Sequence, residues 1–158
     1  MPQSPWRATE PFTSRRIHAA AIYCSDGRFG EAFDEFLHHE LGLPHYDRVA
    51  IPGGAAALAG HIAAHRDEES LREQLRFLID SHGLERIVLI AHRNCGYYLK
   101  KLHVPEAGLR ALQESDLSKA AQAIRYLSAH VRIEGYLAAV EDGRIVIQPV
   151  PLDNPQAL

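Results

Sequence analysis

The stretch Arg86-Ile87-Val88-Leu89-Ile90-Ala91-His92-Arg93-Asn94-Cys95-Gly96 decides the fold of this chain. Its first part, residues 86–91, is an apolar run rich in β-branched side chains, which predicts a fully buried strand. A histidine and a cysteine three residues apart follow that strand at its carboxyl end, so both side chains can turn toward one point.

The chain has one other cysteine, Cys24, which also ends an apolar run, residues 17–23. If the two runs are neighbouring parallel strands, Cys24, His92 and Cys95 meet above the same edge of the sheet. Two thiolates and one imidazole suit zinc and leave one tetrahedral position open, as catalytic zinc sites do. The pattern therefore predicts a zinc site. Taken separately, the cysteines could be small buried hydrophobic residues and His92 an ordinary strand-end histidine.

Length and composition limit the class of protein. A chain of 158 residues is long enough for one domain with a proper core. The formal net charge of -3 gives no reason to expect nucleic acid or an anionic membrane as a partner. No apolar run approaches the roughly 20 residues of a membrane span, and residues 1–11 lack the apolar segment of a signal peptide. These features predict a cytoplasmic protein whose cysteines are ligands or plain thiols, not a disulfide.

The order of apolar segments and turn signals predicts an N-terminal arm over residues 1–16 and a single α/β domain over residues 17–158. Strands are expected at residues 17–24, 46–51, 86–91, 133–140 and 144–150, and helices at residues 30–41, 55–65, 68–82, 94–102 and 117–130. Asp67 is expected to cap the third helix and Ser115 or Asp116 the last one. Residues 103–114 are expected to be irregular, with no role assigned to them.

Alternating strands and helices imply βαβ units and a mostly parallel sheet. The chain is expected to run from the first strand outward to the second and then return to the other side, which gives the strand order 2-1-3-4-5. Asp142-Gly143 is a tight hairpin signal, so the last strand is expected to pair antiparallel at the sheet edge. The switch point between strands one and three is where ligand crevices form, and Cys24 and His92 both follow strands that end there.

Three motifs occur in order: Cys24-x-Asp26-x-Arg28, a glycine pair after the second strand, and His92-x-x-Cys95-Gly96. Together they resemble the β-class carbonic anhydrases, over residues 17–102 by motif and to residue 150 by strand pattern. The resemblance implies that Cys24, His92 and Cys95 bind zinc, that Asp26 and Arg28 pair beside it, and that water or hydroxide is the fourth ligand. In that family the aspartate can itself become the fourth zinc ligand when its hydrogen bonds to the arginine break, and the site is then closed to water and substrate.

The resemblance also implies an activity, the reversible hydration of carbon dioxide to bicarbonate by a zinc-bound hydroxide. Zinc lowers the pKa of a bound water to about 7. Asp26 would hold the hydroxide proton, and Arg28 would keep Asp26 ionised and oriented. Gly53, Gly54 and Gly96 are expected at the substrate pocket, because a glycine turn lets the backbone approach closely. The resemblance further implies a homodimer or a higher homo-oligomer.

The chain departs from the family pattern at several positions. Ile51-Pro52-Gly53-Gly54 replaces the usual Arg-Asn-Ala-Gly segment, Asn94 stands where aspartate is common, and Tyr97 and Tyr98 could narrow the pocket. Relatives by fold hydrolyse COS or CS2 with the same ligands, so a hydrolase of such small substrates is an alternative. A catalytically silent zinc-binding homologue, with Asp26 permanently on the metal, is another.

Other features of the sequence admit different interpretations. The Asp26–Arg28 pair could be a surface ion pair of little energetic worth. Gly53-Gly54 could cradle a phosphate, although the sequence has neither the GxGxxG fingerprint nor the P-loop lysine. His61 and His65, spaced i,i+4 on a predicted helix, could chelate a metal, but with no third ligand nearby a solvated helix face is favoured.

Overall fold

The computed structural model describes Met1 and residues 3–153, so residues 154–158 of the predicted domain lie outside the described part. The five strands are β1 (Ala19–Cys24), β2 (Asp47–Ile51), β3 (Arg86–His92), β4 (Arg132–Glu141) and β5 (Arg144–Val150). They form one sheet in the order β2-β1-β3-β4-β5. Every neighbouring pair is parallel except β4 with β5. The predicted sheet order and the reversed last strand are therefore confirmed.

The two central strands are covered on both faces, which explains why their sequences are apolar almost throughout. All residues of β1 are buried, and Ile87 to Ile90 of β3 are at most 1% exposed. Because side chains alternate along a strand, Ala20, Ile22 and Cys24 enter one hydrophobic cluster and Ala19, Ala21 and Tyr23 the other. The carboxyl ends of β1 and β3 thus lie between two packed layers.

Helices pack on both faces of the sheet. On one face lies α1 (Gly30–Glu35), which continues as a π-helical turn (Phe36–Glu40) and buries Phe33 and Leu37. On the other face lie α2 (His65–His82) and α3 (Leu109–Leu127), which bury leucine side chains against β1 and β3. Each fully buried leucine contributes about 1.5–3 kcal/mol relative to an exposed one. These contacts fix the strand ends that carry the candidate site.

The predicted helix over residues 55–65 was wrong in form. Two 3-10 segments, Gly54–Ala59 and Ile62–Ala64, occupy this region, and α2 begins at His65. The break lies at Gly60, whose φ of 82° is left-handed and does not continue a helix. Asp67 therefore lies in the first turn of α2 and not at its cap. Its carboxylate accepts hydrogen bonds from the Tyr97 hydroxyl and the Lys101 ammonium, each at 2.7 Å.

The predicted start of the last helix was also wrong. α3 begins at Leu109, directly after the left-handed Gly108, so the irregular stretch is limited to residues 103–108. Neither Ser115 nor Asp116 is a cap, because both lie inside α3. Two buried polar residues, Gln113 and Asp116, lie on the inner face of this helix. They interrupt the apolar periodicity that would have revealed the first turns of the helix.

The remaining segments agree broadly with the predicted boundaries. A π-helical turn, Tyr97–Lys101, follows the His92 motif where a short helix was expected. Met1 and residues 3–18 form no helix or strand, and Trp6 and Phe12 are exposed. The division into an arm and a single domain stays a prediction. Within the described part of the chain, no helix has the length and apolar character needed to span a membrane.

Candidate metal centre

Three donor side chains meet at the carboxyl ends of two adjacent strands. Cys24 ends β1 and His92 ends β3, and these strands pair in parallel with Tyr23 opposite Ile90. Cys95 follows in the turn after β3. The two sulfurs and a ring nitrogen of His92 all lie within 4.8 Å of one another, and the three residues are 8%, 1% and 2% exposed. The structure thus brings together the three residues that the sequence predicts as ligands.

The two sulfurs lie at the separation that a shared metal ion requires. The Cys95 thiol donates a hydrogen bond to Cys24 at 3.8 Å. Two sulfurs at about 2.3 Å from one tetrahedral zinc ion would lie about 3.8 Å apart. The hydrogen bond from the Cys95 thiol lowers the pKa of Cys24. Cys24 also accepts hydrogen bonds from the backbone N–H groups of Gly53 and Asp26, which lower its pKa further. The same contact raises the pKa of Cys95, so the thiol pair without a cation holds one proton tightly.

The imidazole of His92 presents a free lone pair to this cluster. Its Nδ1 lies 2.9 Å from the carbonyl oxygen of Arg93, and because that oxygen can only accept, Nδ1 is the atom that carries the proton. The other nitrogen, Nε2, is buried and has no hydrogen-bond partner among the described residues. Buried polar atoms rarely lack a partner, and a metal ion would satisfy this one. The donor set and its geometry therefore fit zinc.

Neighbouring residues hold the ring and the end of β3 in place. The ring of Phe29 stacks on His92 with centroids 4.2 Å apart. The side-chain amide of Gln113, fully buried in α3, donates to the carbonyl oxygen of His92 at 2.7 Å. Sequence reasoning missed Gln113, because a single glutamine within an apolar helix face carries no recognisable motif. These contacts leave the imidazole little freedom to rotate.

Asp26 and Arg28 form a two-pronged pair just beyond β1. The Nε of Arg28 donates to Oδ1 at 3.0 Å, and Nη2 donates to Oδ2 at 2.7 Å. This pairing lowers the pKa of Asp26 to about 2. Asp26 is not among the converging metal donors, since Arg28 binds both carboxylate oxygens. The side chain of Asp26 is 19% exposed, whereas that of Arg28 is 81% exposed.

The glycine pair that follows β2 packs against the protein itself. Gly53 has a φ of 77°, and a Cβ there would lie 2.4 Å from Cδ1 of Tyr97. Gly54 has a φ of 54°, and a Cβ there would lie 3.0 Å from the carbonyl carbon of Tyr23. The close backbone approach expected here is therefore made to Tyr97 and to β1. A Cβ on Gly96 would meet no atom within 4 Å, and the role of the three glycines in a substrate pocket stays a prediction.

The two tyrosines after Gly96 belong to the core between the sheet and the helices, not to an open pocket entrance. Tyr97 is 9% exposed and Tyr98 is 2% exposed. The Tyr97 hydroxyl donates to Asp67 of α2, and the Tyr98 hydroxyl donates to Asp116 of α3 at 2.8 Å. Burial and the facing carboxylates raise the pKa of both phenols. Two helices thus anchor the turn that carries Cys95.

The interpretation of His61 as part of a solvated helix face was wrong. His61 precedes the second 3-10 segment, and its Nε2 lies 2.6 Å from Oδ2 of Asp116. The side chain of His61 is 22% exposed and that of Asp116 is 1% exposed. His65 lies on α2 and is 71% exposed, so the two histidines do not share a helix face. Asp116 therefore contacts both His61 and Tyr98.

Comparison with protein families decides the relationship that the geometry suggests. A family model described as "Putative carbonic anhydrase" matches residues 14–147. The chain belongs to this family. An uncharacterized protein of Rickettsia bellii is 27% identical over 126 residues, which cover 76% of this carbonic anhydrase family member and 75% of the relative. An uncharacterized protein of Rickettsia conorii is 30% identical over 78 residues, and the match covers 49% of this chain and 41% of that protein.

Solved β-carbonic anhydrases share the fold of this family member. CafA of Aspergillus fumigatus superposes with a TM-score of 0.56 at 15% identity, over 90% of this chain and 79% of that one. A tetrameric β-carbonic anhydrase of Sordaria macrospora superposes with a TM-score of 0.53 at 12% identity, over 85% of this chain and 81% of that one. A β-carbonic anhydrase of Trichomonas vaginalis superposes with a TM-score of 0.52 at 14% identity, over 89% of this chain and 87% of that one. At these identities the likeness establishes the fold alone.

Proposed function

We propose that this protein is a zinc-dependent carbonic anhydrase that reversibly hydrates carbon dioxide to bicarbonate. The observation that carries the proposal is the buried cluster of Cys24, His92 and Cys95, with the paired Asp26 and Arg28 beyond the same strand end. Membership of the family and the shared fold support it.

Cys24, His92 and Cys95 would hold the zinc ion. Three protein ligands are typical of catalytic zinc sites, whereas structural sites use four. When bound, zinc acts as a Lewis acid and lowers the pKa of a coordinated water to about 7, which makes a nucleophile available near neutral pH. The hydrogen bond from Nδ1 of His92 to the Arg93 carbonyl would keep Nε2 directed at the metal.

Asp26 would orient the nucleophile by accepting a hydrogen bond from it. With a pKa of about 2, the carboxylate is ionised throughout the neutral range and can only accept. For the same reason Asp26 cannot take up the proton that hydration releases, which must pass to another group or to the buffer. Arg28 would fix the carboxylate through its two parallel hydrogen bonds.

A stopped-flow assay with a pH indicator tests this function on the zinc-loaded protein. Carbon dioxide hydration should exceed the buffer rate and should rise with pH through the pKa of the zinc water, near about 7. The matched control is His92→Ala, which should lose zinc and activity together. Zinc-loaded protein that hydrates no carbon dioxide but releases sulfide from CS2 would show the hydrolase alternative instead. Inactivity toward both substrates would point to a silent zinc-binding homologue.

We also propose that the protein forms a homodimer or a higher homo-oligomer. The tetrameric neighbours from Sordaria macrospora support this, as do the exposed Trp6 and Phe12 of the N-terminal segment. Light scattering on the purified full chain should give a mass of at least twice 17.6 kDa. A mass of one chain at micromolar concentration would contradict it. A cytoplasmic location also stays a prediction.

A further inference from the structure

Arg93 stands between two proposed metal ligands, and one nitrogen of its guanidinium group has no partner in the described part of the chain. Its Nε is buried and makes no hydrogen bond. No carboxylate in the described part of the chain lies within 4.0 Å of this guanidinium. Arginine side chains that are withdrawn from water are normally paired with an acceptor. Arg93 is half-buried, and its buried Nε has donor capacity that the described chain leaves unused.

Arg93 lines a pocket of about 440 Å³ at the carboxyl ends of β3 and β4. This volume lies within the range of small-molecule sites, about 300–1,000 Å³. The polar lining residues are Arg28, Arg93, Asn94 and Glu141, and the apolar ones include Phe29, Val140 and Ile145. None of the three metal-donor residues lines it. The pocket adjoins the metal centre through Phe29, which stacks on His92, but is distinct from it.

The charges around this pocket select a ligand with one negative charge. Arg28 uses two of the five N–H donors of a guanidinium on Asp26 and keeps the others free. Glu141 also lines the pocket and would repel a second negative charge. Val140, which is 63% exposed, and Ile145 provide an apolar wall that a purely polar ion would leave uncovered.

We propose that this pocket binds a small monocarboxylate with an apolar body, and that Arg93 binds the carboxylate. A guanidinium and a carboxylate match as two parallel hydrogen bonds, and the apolar body would cover Val140 and Ile145. Asn94 would offer an additional amide donor from its left-handed position, at a φ of 54°. Arg28 lines this pocket and also pairs with Asp26, but the inference does not rest on the proposed function, because ligand binding is read out without any activity.

Isothermal titration calorimetry of the full chain with sodium isovalerate tests this site. Isovalerate should bind at one site per chain, and acetate should bind at least tenfold more weakly because it lacks the apolar body. Inorganic phosphate should bind more weakly than isovalerate, because Glu141 opposes its second charge. Absence of saturable isovalerate binding, or phosphate binding of equal strength, would overturn the proposal.

Two pocket variants and a matched control locate the bound carboxylate. Arg93→Gln should weaken isovalerate binding at least tenfold, whereas Arg76→Gln, which removes the same charge from an exposed position of α2, should change it less than twofold. Unchanged affinity in Arg93→Gln would mean that isovalerate binds elsewhere, for example on the metal, and would refute the site. Glu141→Gln should tighten binding severalfold and keeps the test decisive if Arg93→Gln does not fold. Unchanged or weaker binding to Glu141→Gln would count against the proposal.

Discussion

Replacing Gly53 with alanine should destabilise the protein through one identifiable contact. Gly53 has a φ of 77°, and the added Cβ would lie 2.4 Å from Cδ1 and 2.6 Å from Cγ of Tyr97. Tyr97 cannot easily withdraw, since its ring is buried and its hydroxyl is bound to Asp67. Gly60 provides a matched control, with a φ of 82° and no atom within 4 Å of an added Cβ. The two substitutions impose similar backbone strain but differ in steric contact.

The magnitude follows from these two contributions. A left-handed conformation costs an alanine about 1–2 kcal/mol, partly offset by about 0.4–1 kcal/mol from the reduced freedom of the unfolded chain. Gly60→Ala should therefore lower the free energy of unfolding by about 1 kcal/mol. Gly53→Ala should add an overpacking cost of about 1–3 kcal/mol, for a total of about 2–4 kcal/mol. The difference between the variants measures the clash with Tyr97.

Urea unfolding of the metal-free variants measures these free energies without a contribution from bound zinc. A third variant, Tyr97→Ala, which removes Cγ and Cδ1 of the ring, completes a double-mutant cycle with Gly53→Ala. In the Tyr97→Ala background, which lacks the two ring atoms nearest the added Cβ, Gly53→Ala should cost about as much as Gly60→Ala. Equal losses for Gly53→Ala and Gly60→Ala in the wild-type background would refute the reasoning, because they would show that the ring yields without cost.

Four further predictions concern the metal centre and its support. Cys24→Ala and His92→Ala should each reduce bound zinc from about one ion per chain to background, as measured by atomic absorption, and retention of zinc in both would exclude this site. Asp26→Asn should keep zinc but lower hydration by about 100-fold, and an active variant would exclude the orienting role. Arg28 lowers the pKa of Asp26 to about 2 in the folded state, so the stability that this pair confers is complete above about pH 5 and is lost as the pH falls toward 2. The free energies of unfolding of metal-free wild type and Asp26→Asn should therefore become equal in acid. Asp116→Ala should cost about 3–5 kcal/mol in urea unfolding because it leaves His61 and Tyr98 without their buried partner. The control Glu114→Ala, at a partly exposed position of the same helix, should cost below about 1 kcal/mol.

The arrangement of the sheet could be predicted because buried strands are recognisable in the sequence as continuous apolar runs. The runs that end at Cys24 and His92 are central and buried, so no polar residue interrupts them. Parallel strands then place both ends at one edge, and the three donors follow from chain connectivity. The pairing of Asp26 with Arg28 was expected only from the resemblance to the β-class carbonic anhydrases, and the two side chains are in direct contact.

The supporting contacts could not be predicted because they join residues far apart in the chain without a local pattern. His61 and Asp116 are separated by 55 positions, and each taken alone looks like an ordinary surface residue. Gln113 and Asp116 broke the apolar pattern at the start of α3, because their buried side chains form hydrogen bonds with partners elsewhere in the chain that no local pattern reveals. Gly60 could break the alanine-rich segment only through its left-handed backbone, which the sequence permits but does not require.

The separation of the proposed metal ligands along the chain has a consequence for the order of folding and metal binding. Cys24 and Cys95 are 71 positions apart and meet only when β1 has aligned beside β3. An unfolded chain offers a cation little more than the local His92–Cys95 pair, and closing so long a loop carries a substantial entropic cost. Metal capture should therefore follow the completion of the central sheet and stabilise a finished architecture, so that cells starved of zinc would accumulate a folded, empty apoprotein.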